Sequence, residues 1–414
     1  MVDDRMCMLN TRCGLGYCYE ISNNVQMKPI KDVIINLAET RGRPPAKLFG
    51  IKTSDRLFHQ YIIGQTGTGK STLMLQMMQQ DYANGQGFCL IDPHGDLADT
   101  LAKTCPGVIV WKPADVDCPY GYNPLTMVKS DHRYLVASGL INTLKKQLHD
   151  AWGARMEHLL RYSLLALLEC PNSSLQDIIP MFLDEPFRQS IINQITDPQV
   201  KQFWTSEFPN LNYKSAADGV APIANKLGAF LAHPNVRKAL CAPEKPLRFR
   251  QIMDEGQTLI VNLAKGRLGA DIANVLGGLV VSTLGLAAYS RQNIPESERR
   301  PYFLFIDEFH SFTTSAFADL LSELRKYRLG LILAHQHTSQ IDNAIFEAII
   351  GNVGTITAFR IGATDANIIA KQFGADIPKP QNLVGLANYE MFIEMMFSGH
   401  QSKPFSARTL IMNS

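Results

Sequence analysis

Short apolar runs alternate with helical stretches along most of this 414-residue chain. Runs such as 61–63, 88–91 and 108–111 are short and continuous, which is typical of strands buried on both faces of a sheet. Equivalent runs return later in the chain, at 258–263, 302–306, 331–334 and 353–359. The pattern predicts an α/β fold in which crossover helices connect a mostly parallel sheet.

The alternation stops between about residues 127 and 250, where helical periodicity dominates and no convincing strand is found. The stretch 159–168 is one example, with apolar residues at helical spacing. We therefore predict an all-α domain inserted into the sheet domain. The predicted boundaries are an N-terminal segment 1–57, a first nucleotide-binding part 58–125, the all-α insertion 126–250 and a second nucleotide-binding part 251–414.

The N-terminal segment is poorly periodic, and its residues 41–45 (RGRPP) are typical of a turn or linker. It contains Cys7, Cys13 and Cys18 without partners at metal-ligand spacing, so no zinc site is predicted there. Eight cysteines in the whole chain are too sparse for a disulfide scaffold, and no signal peptide is recognisable. We expect a reducing, cytoplasmic environment.

One window is long enough to be tested as a membrane span. Residues 272–290 carry no charge over 19 positions, but Asn274, Ser282, Thr283 and three glycines make the window less apolar. It also lies between two predicted strands of the same fold. A helix buried against the sheet is therefore favoured, a membrane span is the alternative, and no transmembrane segment is predicted.

The composition excludes some classes of protein. With 46% hydrophobic and 19% charged residues the chain is neither disordered nor fibrous, and its length suits two or three domains of about 150 residues. The net charge of +2 gives no global attraction for polyanions. Residues 126–250 hold 15 Lys and Arg against 11 Asp and Glu, a bias compatible with contacts to a nucleic-acid backbone.

A phosphate-binding loop follows the run 61–63. Residues 64–72 read GQTGTGKST and match the G-x-x-x-x-G-K-[ST] pattern between a predicted strand and a predicted helix. Glycines let successive N–H groups point inward, and the helix start adds its dipole. The predicted nucleotide-binding residues are Gly64, Gln65, Thr66, Gly67, Thr68, Gly69, Lys70, Ser71 and Thr72. Lys70 is expected to reach the β- and γ-phosphates of ATP, and Ser71 to coordinate Mg²⁺.

An acidic pair ends the run 302–306. Asp307 and Glu308 follow five apolar residues, so they are placed at the carboxyl end of a buried strand, where open α/β sheets bind ligands. We assign Asp307 to Mg²⁺ and Glu308 to the attacking water. Two solvated carboxylates that cap a helix are the alternative.

Two further strand ends carry polar residues. Asp92 and His94 follow another predicted strand and could touch the nucleotide, the metal or a neighbouring subunit; a structural turn is the alternative. Gln336 ends the run 331–334 and can sense the γ-phosphate through a water, because its amide both donates and accepts hydrogen bonds. A purely structural role is the alternative for Gln336. Neither His335 nor His337 has partners at metal-ligand spacing.

Six segments occur in a specific order: IIGQTGTGKST, CLIDPHGD, YNPL, FLFIDEFH, LRKYRLGLILAHQ and GNVGTITAFRIG. Over about residues 58–410 this set resembles the HerA/FtsK superfamily of DNA-translocating ATPases, and within it the coupling proteins of type IV secretion, similar to TraG and TraD. The resemblance implies a hexameric ring of RecA-like P-loop NTPase domains, each an α/β fold with a mostly parallel sheet, with ATP between subunits, an inserted all-α domain and DNA in the pore. It implies catalytic roles for Lys70, Glu308 and Gln336, and metal ligation by Ser71 and Asp307.

An arginine from the adjacent subunit is also expected, because such rings stabilise the developing phosphate charge in trans. Arg325 fits best by position, Arg328 and Arg360 are rivals, and a solvated helix arginine is the alternative for Arg325. Candidate contacts with DNA, each with a solvated surface as its alternative, are Lys145, Lys146, Arg237, Lys238, Lys265 and Arg267. Since a motor must move along any sequence, we expect DNA binding without sequence specificity.

The predicted function is an ATP-hydrolysing DNA motor in conjugation or type IV secretion, with relaxase or secretion proteins as partners. Alternatives are an ATPase for DNA end processing or anti-phage defence with a partner nuclease, and a nucleotide-dependent protein adaptor that hydrolyses ATP slowly. Many coupling proteins carry amino-terminal transmembrane helices, whereas residues 1–57 contain no apolar run of that length. We therefore expect a cytoplasmic protein that reaches the inner membrane only through partners.

Overall fold

The computed structural model of this chain describes residues 32–42, 44–126, 128–147, 152–211, 213–313, 317, 321–374 and 378–410. Cys7, Cys13 and Cys18, with the first 31 residues of the predicted N-terminal segment, lie outside this part.

The strands in the described part are β1 (Ile34–Thr40), β2 (Leu48–Lys52), β3 (Gln60–Ile63), β4 (Phe88–Asp92), β5 (Ile109–Trp111), β6 (Tyr120–Gly121), β7 (Lys245–Pro246), β8 (Leu259–Asn262), β9 (Tyr302–Ile306), β10 (Leu329–His335), β11 (Thr355–Ala358), β12 (Glu390–Glu394), β13 (Met396–Phe397), β14 (His400–Gln401) and β15 (Phe405–Thr409). The helices are α1 (Thr53–Arg56), α2 (Lys70–Ala83), α3 (Asp96–Thr104), α4 (Arg133–Gln147), α5 (Ala154–Leu167), α6 (Ile178–Leu183), α7 (Glu185–Ile192), α8 (Pro198–Gln202), α9 (Tyr213–Ala232), α10 (Pro234–Cys241), α11 (Phe249–Glu255), α12 (Lys265–Leu268), α13 (Ala270–Tyr289), α14 (Asn343–Asn352), α15 (Ala363–Phe373) and α16 (Pro380–Val384).

Eleven strands form one central sheet in the order β2-β1-β15-β12-β11-β3-β10-β9-β4-β8-β5. Pairing is parallel from β11 through β3, β10, β9, β4 and β8 to β5. All seven predicted strands lie in this parallel half, and the predicted fold class is confirmed. The central strands β3, β4, β9 and β10 are buried along their whole length, which explains why their sequences are continuous rather than alternating.

The sequence did not reveal the other half of the sheet. Strands β1 and β2 pair antiparallel with each other, and β15 and β12 connect them to β11, also in antiparallel pairs. In β1, Ile35 and Leu37 are buried whereas Ile34 and Asn36 are exposed, so this strand covers the core with one face only. The predicted N-terminal segment therefore contributes two strands to the sheet.

Helices α4 to α10 follow one another between β6 and β7, in the region predicted to be an all-α insertion. At the base of this region, β6 pairs in parallel with β7, so the entering and leaving chain segments lie side by side. The expectation of no strand between residues 127 and 250 is wrong at β7, which is two residues long and too short to leave a hydrophobic pattern. The boundaries 126 and 250 stay predictions.

The apolar window predicted to be a core helix forms α13. Its 24-residue helical stretch, Ala270–Asn293, has a mean hydropathy of 1.7 and passes the length and composition test for a membrane span. Two thirds of the tested window, 67%, is buried inside the protein. Leu276, Val280 and Leu284 join the same apolar cluster as sheet residues, so the apolar character of the helix serves packing.

Candidate active site

The loop 64–69 connects β3 to α2 at the carboxyl end of β3, as predicted. Gly67 has a φ of 74° and Gly69 a φ of 127°, backbone conformations that favour glycine. A Cβ on Gly69 would also lie 2.8 Å from the ring of Phe359, so the loop packs closely against the segment after β11. Lys70 Nζ donates hydrogen bonds to Gly64 O at 2.6 Å and to Gln65 O at 3.2 Å. The loop is therefore shaped around the lysine.

Two acids act electrostatically on this lysine. Burial lowers the pKa of Lys70, and the charges of Asp307 and Glu308 oppose that shift. Both acids follow β9, which is separated from β3 by β10 alone. The structure thus brings the predicted phosphate-binding lysine and the predicted acidic pair to one site at one edge of the sheet.

The surroundings of Asp307 disfavour the ionised form of its carboxyl group. Burial, the largest cause, together with the negative charges of Glu308 and Asp92, raises the pKa of Asp307 to about 6. Glu308 adopts a left-handed backbone conformation with a φ of 48°, and its backbone N–H donates to Asp307 Oδ1 at 3.0 Å. Such a conformation is strained for a glutamate and is typical of functional sites.

Glu308 is linked to the phosphate-binding loop by hydrogen bonds between side chains. Gln336 Nε2 donates to Glu308 Oε1 at 2.5 Å, and Thr66 Oγ1 donates to Gln336 Oε1 at 2.9 Å. Gln336 follows directly after β10, the strand between β3 and β9. The three strand ends therefore meet through one polar path from Thr66 to Glu308.

Ser71 and Thr72 lie in the first turn of α2, with Ser71 exposed and Thr72 half-buried. Hydroxyl and carboxylate oxygens are the ligands that Mg²⁺ prefers. A divalent cation would offset the negative charge that raises the pKa of Asp307. The donors Ser71 and Asp307 therefore fit Mg²⁺ chemically.

His310 belongs to this site and was missed in the sequence. Its Nδ1 lies 3.4 Å from Glu308 Oε2, and burial lowers its pKa. The residue is two positions after Glu308 in the segment FLFIDEFH, so the signal was present. A single histidine near an acid has many structural explanations, so this segment alone does not assign His310 to the site.

Asp92 has a structural task. Its Oδ1 accepts a hydrogen bond from the backbone N–H of His94, and its Oδ2 accepts one from that of Ala98, both at 2.9 Å. The carboxylate thus stabilises the turn and the first turn of α3, in agreement with the turn alternative, while His94 is exposed. Asp92 still influences the site, because its charge raises the pKa of Asp307.

The three candidate arginines lie in different places. Arg360 Nε donates to Gln65 Oε1 at 3.4 Å, so this arginine contacts the phosphate-binding loop of its own chain. Arg325 and Arg328 precede β10 and therefore lie at the amino end of the strand that carries Gln336 at its carboxyl end. The Arg325 guanidinium carbon lies 3.4 Å from the centroid of the Phe58 ring.

Most candidate DNA contacts have partners within the chain. The contacts are Lys145 with Glu157 at 3.1 Å, Lys146 with His310 O at 2.7 Å, Arg237 with Leu231 O at 2.9 Å, Lys238 with Glu244 at 2.7 Å and Arg267 with Ala114 O at 3.1 Å. Lys145, Lys238 and Glu244 are substantially exposed, and such pairs exchange readily with a phosphate. Lys146 differs, because its ammonium group is bonded to a loop of the sheet domain.

Comparisons with known proteins were made on sequence and on fold. Residues 48–208 match the family model described as the DNA-binding domain of type IV secretion-system coupling proteins. The comparison with curated proteins gives no match.

Solved structures similar to this chain include the unbound bacterial conjugative coupling protein TrwBdeltaN70, with a TM-score of 0.64, 16% identity and 88% of each chain covered. TrwB in complex with ADP and Mg²⁺ matches with a TM-score of 0.63 and 16% identity, over 88% of this chain and 87% of that one. VirB4 of Thermoanaerobacter pseudethanolicus matches with a TM-score of 0.65 and 13% identity, over 91% and 96%. The resemblance inferred from the ordered motifs is therefore confirmed: this chain has the HerA/FtsK-type fold of type IV secretion coupling proteins and carries the sequence pattern of their DNA-binding domain over residues 48–208.

Proposed function

We propose that the chain is an ATP-hydrolysing motor that moves DNA in conjugation or type IV secretion. The observation that carries this proposal is the polar path from Thr66 through Gln336 to Glu308, which connects a phosphate-binding loop to an acidic strand end. A loop that only bound nucleotide would not need that connection. The match to the DNA-binding domain of coupling proteins supports DNA as the partner.

Residues 64–72 hold the phosphates of ATP in this proposal. Lys70 leaves the carbonyl oxygens of Gly64 and Gln65 and turns its ammonium group to the β- and γ-phosphates. Ser71 and Asp307 hold Mg²⁺, which neutralises phosphate charge when bound. The solved complex of TrwB with ADP and Mg²⁺ supports both cofactors for this fold.

Glu308 orients the attacking water and accepts its proton. Gln336 orients the Glu308 carboxylate through one hydrogen bond and contacts Thr66 of the phosphate-binding loop through another. A change in the loop when nucleotide binds therefore reaches Glu308, so that hydrolysis depends on a filled phosphate site. His310, kept neutral by burial, contacts the second oxygen of Glu308. The hydrogen bond from Gln336 orients the carboxylate before the substrate arrives, which lowers the cost of reaching the transition state.

Arg325 acts on the nucleotide of an adjacent copy in a homo-oligomeric ring, which the resemblance makes hexameric. A cation at the amino edge of the sheet is too far from the nucleotide of its own chain, since the seven residues of β10 span roughly 23 Å.

DNA passes through the ring without base readout, held by cations such as Lys145, Arg237 and Lys265. Secretion partners bring the protein to the cytoplasmic face of the inner membrane in this proposal.

DNA-stimulated turnover tests this function. We expect ATP hydrolysis to rise about fivefold or more with saturating single- or double-stranded DNA, and the stimulation to weaken steeply with salt because phosphate contacts release counterions. Lys70→Ala is the control that removes the ATPase signal of this protein, because the variant loses the charge that binds the phosphates. Turnover that DNA does not change would contradict the motor and favour a nucleotide-dependent protein adaptor.

A further inference from the structure

Helix α13 brings the helical insertion close to the loop that carries Glu308. Its adjacent glycines face two neighbours: a Cβ on Gly278 would lie 2.8 Å from Thr143 Cγ2 of α4, and a Cβ on Gly277 would lie 2.2 Å from the Phe312 ring. Phe312 belongs to the segment after Glu308 and is buried. Because no side chain separates the three parts, α4, α13 and the segment 308–313 pack at close range.

Lys146 makes the polar contact between these parts. It lies three residues after Thr143 on α4, and its Nζ donates to His310 O at 2.7 Å and to Thr313 Oγ1 at 3.3 Å. Lys146 is half-buried, and this burial lowers the pKa of its ammonium group to about 8. A lysine whose only task was solubility or DNA contact would extend into solvent, as the adjacent and exposed Lys145 does.

His310 lies between Lys146 and Glu308, the residue proposed to orient water. The backbone oxygen of His310 accepts a hydrogen bond from Lys146, and the His310 ring lies beside Glu308, with Nδ1 at 3.4 Å from Glu308 Oε2 in a contact that is not a hydrogen bond. The Glu308 carboxylate is held on its other oxygen by Gln336. A movement of α4 that withdraws Lys146 would therefore free the segment that places the His310 ring against the Glu308 carboxylate.

We infer that Lys146 is a positioning residue through which the helical insertion controls hydrolysis at Glu308. The inference rests on the proposed role of Glu308 in orienting water. Two discrete arrangements of α4, with Lys146 bonded to the 308–313 segment or withdrawn from it, would make hydrolysis depend on what the insertion contacts. The partner that the insertion senses is a polyanion of the DNA backbone type, since residues 126–250 carry the excess of cations.

The test compares Lys146→Met with Lys201→Met in the full chain. Methionine keeps most of the volume of the lysine stem but removes its donors, and Lys201 is an exposed lysine of α8 in the same insertion. We expect Lys146→Met to lower kcat about tenfold and to leave the affinity for an ATP analogue within about twofold, because the group that is lost acts on Glu308 and not on the loop. Lys201→Met should match the unchanged protein.

Two readouts separate positioning from simple stability. Lys146→Arg should recover about half of the lost kcat, because a guanidinium can donate to the same two acceptors. The ratio of DNA-stimulated to basal turnover should fall in Lys146→Met and recover in Lys146→Arg, at similar melting temperatures. If Lys146→Met does not fold, Thr313→Val removes one acceptor with little change of shape and should lower kcat about threefold without changing affinity.

Several results would overturn the inference. If Lys146→Met folds and its kcat and DNA stimulation are unchanged, the contact has no influence on Glu308. If Lys146→Met does not fold, the same unchanged values in Thr313→Val lead to that conclusion. A loss of kcat matched by an equal loss of analogue affinity would assign Lys146 to general stability. Glu308→Gln separates the two proposals: if this variant still hydrolyses ATP, the proposed function fails; if it does not, a normal Lys146→Met defeats the inference alone.

Discussion

The two ends of β10 carry different functional groups. At the carboxyl end, Gln336 joins Thr66 and Glu308 in a path that is complete within one chain. At the amino end, Arg325 stacks on Phe58 and lines, with Arg328, a cavity of about 350 Å³. One end holds groups that suit phosphate, metal and water, and the other presents cations without a phosphate site of their own.

In the proposed function, this difference lets one sheet contribute to two nucleotide sites, its own at the carboxyl end and that of an adjacent copy at the amino end. The carboxyl edge gathers acids, since the charges of Glu308 and Asp92 add to the burial that raises the pKa of Asp307, and bound phosphates would add more negative charge there. In the proposed function, the amino edge supplies cations to another copy of the chain. Variants at the two ends should therefore respond differently to mixing of subunits.

The largest effect is expected at the carboxyl end. Glu308→Gln keeps the shape and the hydrogen bond with Gln336 but loses the base, so hydrolysis should fall about 1000-fold while ATP affinity stays within about twofold. Single-turnover hydrolysis and equilibrium nucleotide titration measure the two quantities. Normal turnover in this variant would remove Glu308 from the water-orienting role.

A smaller loss is expected at the amino end. Arg325→Ala should lower hydrolysis about 100-fold with little change in nucleotide affinity, because the cation acts only on the developing charge. Mixing Arg325→Ala with Glu308→Gln should restore activity, since each ring then contains sites with both groups. The matched control is Arg328→Ala at the same end. If verified mixed rings show no recovery, Arg325 does not act in trans; recovery with Arg328→Ala instead would move the role to that residue.

The smallest effect concerns two buried histidines, one near each end of the central strands. His59 precedes β3 and accepts a hydrogen bond from the backbone N–H of Leu331, and His335 ends β10 with Nε2 at 2.5 Å from the hydroxyl of Tyr61. Burial lowers the pKa of His59 to about 4 and that of His335 to about 3, both below the ordinary value of 6.5.

Because the unfolded chain binds protons at these histidines below pH 6.5 and the folded chain does not, stability is greatest above that value and decreases on acidification. From pH 7 to pH 5.5 we expect each histidine to cost about 1 kcal/mol of unfolding free energy. Melting temperature against pH measures this, with His59→Gln and His335→Gln each expected to flatten the curve. A curve that neither variant changes would show that burial does not hold these rings neutral.

Local patterns explain why much of the site was predictable. The residues 64–72 and the pair Asp307–Glu308 follow continuous apolar runs, and parallel strands deliver such residues to one edge of the sheet. Gln336 could be placed for the same reason. Its hydrogen bonds to Thr66 and Glu308 could not be placed, because they depend on the order of β3, β10 and β9 in the sheet.

The antiparallel half of the sheet was not predictable in the same way. Strands such as β1 and β15 bury only some of their residues, so their sequences lack the long apolar signal of the centre. Arg360 gave no sign in sequence that it contacts Gln65, which is 295 positions away. Such contacts depend on how distant segments pack, and a single sequence carries no local trace of them.

The sequence by itself determined the phosphate-binding loop, the acidic strand end and the α/β class. Each of these depends on the types and spacing of residues that are close together in the chain. Only the tertiary structure decided that His310 touches Glu308, that Arg325 lies at the far end of the sheet, and that Lys146 bonds to the loop after β9. These facts required the packing of α4, α13 and the sheet, in which close approach is set by contacts between residues far apart in the chain.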